Sequence, residues 1–204
     1  MDFSINTDIF ETTIQSDKEF IYFAKKIGLP TSSRAQGEII ETLIARESVD
    51  VEKDSLSKRY GIETFPIHTD CAYLKVPPKF VLLRYIGSVI DPTPTVVVHF
   101  DKSKLSIFEK DFIENVVWFV RSRSMGFYST ILNNGILRYD REVMSLANKQ
   151  DDIMPSILSK MDQTEISWSL NKVLVINNHR LLHYRPGLLL HEKNNRILQR
   201  INIL

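Results

Sequence analysis

The segment Phe65-Pro66-Ile67-His68-Thr69-Asp70 sets an imidazole and a carboxylate two residues apart. On an extended strand, side chains at i and i+2 leave the same face, so His68 and Asp70 can converge on one point. One more ligand completes a metal site. The later segment Val175-Ile176-Asn177-Asn178-His179-Arg180-Leu181-Leu182-His183-Tyr184-Arg185 offers His179 and His183. Two imidazoles and one carboxylate on one face, with the opposite face open, suit non-haem Fe(II) and leave positions for a cosubstrate and O2. A lone H-x-D arises by chance in many chains, and a structural His–Asp hydrogen bond is the commoner explanation of that fragment by itself.

The elements that must position these groups are legible around them. Phe80 to Ile86 (FVLLRYI) and Thr95 to Phe100 (TVVVHF) are short β-branched and aromatic runs bounded by Pro, Gly or Asp, which reads as strands of a sheet buried on both faces. Lys172 to Ile176 and Arg196 to Ile203 repeat the pattern. Asp17 to Ile27 has apolar residues at helical period and stops at Gly28 before Pro30. Ile39 to Ile44 reads as an extended piece and Glu47 to Tyr60 as a loop. Asp111 to Phe119 and Arg141 to Met161 read as helices, the second crossing Pro155. Strands on both sides of this insertion, about 102–165, predict an α+β chain that is mainly β, a sandwich or barrel with flanking helices.

Composition limits the partners. The chain has 204 residues, the size of one domain, with 26 basic against 25 acidic residues and a net charge of +1. That balance removes the electrostatic argument for nucleic acid or an anionic membrane. The single cysteine, Cys71, makes no internal disulfide, and there is no signal-like N-terminus and no long uncharged apolar stretch, so a cytoplasmic protein is expected.

The stretch FPIHTDCAYLKVPPKFVLLRYIG, then DPTPTVVVHFD, then KVLVINNHRLLHYRPGLLLHEKNNRILQRINI resembles the Fe(II)- and 2-oxoglutarate-dependent dioxygenases of the taurine dioxygenase and clavaminate synthase-like superfamily. There an H-T-D with a following P-P pair, a Thr on the next strand, and a distal D-N-x-R-x-L-H-G-R segment followed by R-x-L-x-R recur in order. GLPTSSRAQGEIIETL and the RYDREVM segment near Arg138 look like that family's flanking elements. The resemblance implies a double-stranded β-helix, or jelly roll, in a single domain over 1–204. It makes His68, Asp70 and His183 the iron ligands and leaves His179 a bystander. It makes Arg196 the bidentate partner of the distal carboxylate of 2-oxoglutarate, with Thr95 assisting. A planar guanidinium suits that task because it offers two parallel donors. Arg200, on the same face as Arg196, becomes a candidate contact for an acidic group of cosubstrate or substrate. Arg84, a charge inside a strand, needs either an acidic partner or a substrate carboxylate, and both stay open.

The implied reaction hydroxylates a C–H bond of an amino acid or an amino-acid-derived small molecule, with O2 consumed and succinate and CO2 released. Desaturation or ring closure uses the same oxidant. An inactive jelly-roll binding module and a zinc hydrolase on the same triad are the competing readings, the latter leaving Arg196 and Thr95 without a task. Two departures from the pattern stand out. Asn177 replaces the family's Asp, removing a charge that would help orient a ligand, and Tyr184 replaces a Gly, bringing a phenol toward the metal. The length of 204 residues, short for this family, predicts an open active site or one closed by a second copy or a partner chain. Cys71 reads as a core thiol on the face opposite Asp70. His99, His191, Arg121 and Arg123 read as solvated or strand-end residues.

Overall fold

The computed structural model describes residues 7–33, 37–44, 60–122, 125–148 and 152–204; the expected loop over 47–59 and Arg123 lie outside them. In chain order the strands are β1 (Ile9–Thr13), β2 (Pro30–Thr31), β3 (Glu41–Ile44), β4 (Phe65–His68), β5 (Phe80–Tyr85), β6 (Thr95–His99), β7 (Trp118–Val120), β8 (Phe127–Ser129), β9 (Leu132–Asn133), β10 (Ile136–Leu137), β11 (Met144–Ser145), β12 (Asp162–Ile166), β13 (Lys172–Asn177), β14 (Leu181–Arg185) and β15 (Ile197–Ile203). The helices are α1 (Asp17–Ile27), α2 (Ile107–Asn115) and α3 (Met154–Leu158). Strands β4 to β6 and β12 to β15 alternate between two antiparallel sheets, and the insertion between β6 and β12 forms small sheets of its own, β11-β7-β8 and β10-β9. The major sheet runs β1-β13-β5-β15-β2, with β3 also on β15, and the minor sheet runs β12-β6-β14-β4. This is the double-stranded β-helix.

Strand alternation sorts the side chains into layers. Val81, Leu83, Tyr85, Leu174, Ile176 and Leu198 of the major sheet meet Val97, Ile166 and Leu181 of the minor sheet between the two. The other face of the major sheet, with Leu82, Val175, Ile201 and Ile203, packs on Phe20 and Ala24 of α1. The other face of the minor sheet, with Val98 and Leu182, packs on the insertion through Phe112, Ile113, Trp118, Ile131 and Met154. Both sheets are therefore covered twice, which is why β5 reads as an apolar run, broken only by Arg84, rather than an alternation. Each fully buried Leu, Ile or Val in these layers contributes about 1.5–3 kcal/mol.

Helix α1 forms where the periodicity puts it. Ser16 caps it by accepting from the Glu19 N–H at 3.3 Å, and Gly28 ends it. A Cβ on Gly28 would sit 2.8 Å from the Leu204 carbonyl oxygen, so only glycine lets the chain pass the end of β15. The insertion departs from its reading. The Ser106/Glu109 capping box starts α2 at Ile107, before the expected Asp111, and Trp118 and Phe119, expected to end the helix, lie instead in β7, which pairs with β8 and β11. Most of 141–161 is likewise not helical among the described residues. The Asp140 carboxylate accepts from the Glu142 N–H at 2.8 Å and turns the chain, and Pro155 stands in the first turn of the short α3, where a proline starts a helix instead of breaking one. The expected helical insertion is thus mostly hairpins. No described helix is long and apolar enough to cross a membrane.

Candidate active site

His68 and His183 face each other across the β4–β14 pair, with ring centroids 4.4 Å apart. Asp70 joins them by a route other than the expected one. Strand β4 ends at His68, and the chain turns, so convergence comes from the turn and not from strand alternation. Buried Asn178 holds the turn: its Oδ1 accepts from the Asp70 N–H at 2.7 Å, and its amide donates to the carbonyls of Asp70 at 3.1 Å and Pro78 at 2.9 Å. Thr69 is tied to Tyr139 by backbone and hydroxyl bonds. The Arg138 guanidinium, also buried, donates to the carbonyls of Ala72, Leu74 and Lys75, wrapping the chain after Asp70 around one side chain.

One ligand atom from each of His68, Asp70 and His183 lies within 4.8 Å of the others. His183 Nε2 stands 3.3 Å from Asp70 Oδ2, close to the roughly 3 Å separating two adjacent ligands that are each about 2.1 Å from a metal. Asp70 Oδ2 has no hydrogen-bond donor within normal geometry although it is buried, an orphaned acceptor that a cation would satisfy. The residues therefore fit a divalent metal. Pro66 O accepts from His68 Nδ1–H at 2.9 Å, which leaves Nε2 as the ring's free lone pair. The corresponding Nδ1 of His183 has no partner among the described residues.

Electrostatics prepares the same protonation states. Burial resists ionisation of Asp70, but the Arg200 guanidinium and the His183 ring outweigh it and hold the carboxyl far below the usual range. Burial, with the neighbouring His183, pushes His68 down to about 4. The site thus holds a neutral imidazole and an ionised carboxylate at neutral pH. Asp140, bridged to His68 through the backbone, is pushed up to about 7 by burial and by Asp70.

Two residues along β6 from Val97, the partner of His183, lies Thr95 on the same face, about 7 Å away by strand rise. Arg196 meets it there: Nη2 donates to Thr95 Oγ1 at 3.4 Å, and Nε donates to the Thr93 carbonyl at 2.9 Å. Trp168 Nε1 donates to the same Thr95 oxygen at 3.1 Å. With both lone pairs taken, the Thr95 hydroxyl has its proton left to give. Burial and the nearby Arg185 lower Arg196 to about 10. The Glu192 carboxylate beside it is engaged by the Thr93 and Leu189 N–H groups at 2.6 and 2.9 Å. Val97 and Leu198, from strands of the two facing sheets, belong to the apolar layer between them.

The other expected residues divide. Arg200 faces the interior but binds carboxylates of the chain itself, Asp70 and Glu41. Arg84 does not belong to the site. Alternation along β5 turns it to the α1 face, where it pairs with Asp17 at 2.6 Å and lies over the Phe20 ring. Tyr184 likewise points away from the triad, its hydroxyl donating to Gln163 at 3.0 Å, so it does not crowd the metal position. Asn177 donates to Asp8 at 3.2 Å, and the orienting of Asp70 falls to Asn178 instead. Cys71 is a buried thiol pushed up to about 12 by burial, set in the turn at φ 55° and not on a strand face. His179 donates to the Pro77 carbonyl at 3.0 Å and lines an open cleft of about 770 Å³ away from the triad. Asn178, Arg138, Glu41 and Asp140 have no site role that sequence spacing assigns; Asn178, five residues before His183, is the one with a short-range signal.

No protein-family model matches the chain, and no curated protein matches it. Solved structures do. The non-heme iron oxygenase OrfP in complex with Fe and alpha-ketoglutaric acid superposes with a TM-score of 0.71 at 20% identity, covering 91% of this chain and 63% of that one. The complex of OrfP with Fe, succinate and (3S)-hydroxy-L-Arg gives 0.71 at 17%, covering 91% and 65%. The complex with Fe and L-Arg gives 0.66 at 19%, covering 92% and 64%. The chain therefore spans just under two thirds of the length of these structures and shares their fold.

Proposed function

We propose that this chain is an Fe(II)- and 2-oxoglutarate-dependent oxygenase of the taurine dioxygenase and clavaminate synthase-like type, acting as one domain on a small molecule. The reaction it fits best is hydroxylation of an unactivated C–H bond of an amino acid or an amino-acid-derived compound. The observation that carries this is the clustering of His68, Asp70 and His183, with Thr95 two residues along β6 from the strand partner of His183 and Arg196 hydrogen-bonded to Thr95. The arginine and hydroxyarginine ligands of OrfP support the substrate class.

His68, Asp70 and His183 would hold the metal. Bound there, Fe(II) supplies O2 activation coupled to oxidative decarboxylation of 2-oxoglutarate. The chain's own part is positional. His68 presents Nε2 because Nδ1–H is fixed on Pro66, and Asp70 stays ionised beside Arg200. Arg196 offers two parallel donors to the distal carboxylate of the cosubstrate, and Thr95 adds its hydroxyl proton. Val97 and Leu198 add to the apolar layer that excludes water between the two sheets.

Anaerobic addition of Fe(II) and then 2-oxoglutarate should give a visible charge-transfer band, which shifts when an amino acid that binds is added. In air the same mixture should form succinate. A protein that binds Mn(II) and 2-oxoglutarate but turns over no member of a broad amino-acid panel would remove the substrate class. One that binds neither would remove the oxygenase reading.

A further inference from the structure

We propose that Arg200, backed by Glu41, is a positioning residue that keeps Asp70 a one-oxygen ligand. This rests on the reading of the triad as a metal centre. It departs from the expectation that Arg200 contacts substrate.

The two oxygens of Asp70 have different surroundings. Oδ1 accepts from Arg200 Nη1, whereas Oδ2 faces His183 Nε2 at 3.3 Å and has no donor in normal geometry. Arg200 cannot turn away freely. Its Nη2 and Nε both donate to Glu41 Oε2, at 2.6 and 3.2 Å, and Glu41 is its direct cross-strand partner on β3. Glu41 is fixed in turn, since its Oε1 accepts from the Ser33 N–H at 2.9 Å and from the Ser33 hydroxyl. Moving the guanidinium onto a substrate would leave two carboxylates, both largely withdrawn from water, without their cation.

Coordination arithmetic gives this arrangement a consequence. Two imidazoles and one carboxylate oxygen take three of six positions, a chelating 2-oxo acid takes two, and one remains for O2. A second Asp70 oxygen on the metal would fill a position the ligands need. A donor anchored on Oδ1 withholds that oxygen. The net charge of Asp70, Glu41 and Arg200 together is −1, so the cluster attracts a divalent cation with Arg200 in place.

The test compares the full chain with Arg200→Gln, Arg200→Lys and Glu41→Gln. Mn(II) affinity is read by calorimetry. 2-Oxoglutarate affinity and the charge-transfer band are read on the anaerobic Fe(II) form, and thermal melting checks folding. R200Q should keep Mn(II) affinity within a few-fold while 2-oxoglutarate affinity falls about tenfold or more and the band shifts. R200K, which keeps a charged donor to Oδ1 where R200Q offers only a shorter neutral amide, should recover most of both, and E41Q should fall between. A folded R200Q with wild-type 2-oxoglutarate affinity and an unmoved band overturns the proposal, as does one in which only the KM of an oxidised substrate rises. If R200Q does not fold, an E41Q protein indistinguishable from wild type overturns it instead. Failure of the wild type to bind Mn(II) would be the separate failure of the metal reading, and the proposal would fall with it.

Discussion

Arg196 and Arg200 lie four residues apart on the interior face of the same chain segment, yet they are held in opposite ways. Among the described residues Arg196 hydrogen-bonds only to neutral acceptors, the Thr93 carbonyl and the Thr95 hydroxyl, and in its field a second guanidinium, Arg185, stands against the Glu192 carboxylate, which backbone N–H groups already engage. Arg200 lies between two carboxylates. A guanidinium fixed by neutral groups keeps its attraction for an incoming anion, whereas one already shared by two carboxylates acts as a strut. The difference tells receptor from support where residue type and spacing alone make the two arginines equivalent.

Loss of the carboxylate that the strut serves should give the largest effect. Asp70→Ala should weaken Mn(II) binding by well over about 100-fold, beyond what loss of an outer partner costs, and isothermal titration measures it. Retained metal affinity would mean that the three residues do not form the centre. The receptor end should fail differently. Arg196→Gln removes a charge-assisted pair worth about 3 kcal/mol, or about 100-fold in 2-oxoglutarate affinity, and should leave Mn(II) affinity unchanged. A variant that loses metal and keeps the oxo acid would reverse the roles assigned to the two ends.

The same contrast explains what could be read beforehand. The strands β5, β6, β13 and β15 were legible because each is a local apolar run between breakers, and the ligands because their spacing is stereotyped. Thr95 and Arg196 followed by position and do meet. Arg84 was readable in principle, since alternation along β5 puts it opposite Leu83, but a face can be assigned only when one knows which side holds the core. Asn178 and Arg138 act on Asp70 and its turn from 108 and 68 positions away, and Glu41 acts through Arg200, 159 positions from it. No periodicity carries such contacts. The insertion misled because apolar residues in hairpins on a buried surface imitate helical spacing over a short window.

Protonation should next separate two groups at the metal end. In metal-free protein, His68 has a pKa of about 4 against 6.5 unfolded, so its contribution is complete above pH 6.5 and is lost as pH falls toward 4. Asp140 runs the other way, from 3.8 to about 7, so its contribution is present below pH 3.8 and is lost as pH rises toward 7. Each amounts to about 3–4 kcal/mol, and between pH 4 and 6.5 they oppose. Urea unfolding in a chelator should therefore give a nearly flat stability profile for the wild type. Asp140→Asn should expose the His68 slope, a gain of about 3 kcal/mol from pH 4 to 6.5. An equally flat variant would show that the two groups do not balance.

The smallest effect belongs to the third arginine. Arg84 is a strut like Arg200, but on the outer face, where Asp17 also accepts from Gln199 at 3.2 Å. Arg84 is 5% exposed but Asp17 is 59% exposed, so water shares the task of solvating the carboxylate, and an asparagine in its place still offers an oxygen to Arg84 Nη2, so the substitution removes little. Asp17→Asn also weakens the first turn of α1, where an acid favours the helix dipole. Together these should cost about 1 kcal/mol, a fall of about 2–4 °C in melting temperature. Affinities for Mn(II) and 2-oxoglutarate should not move, because the major sheet stands between α1 and the triad. A change in 2-oxoglutarate affinity without a change in melting temperature would return Arg84 to the site and undo the face assignment that separates support from receptor.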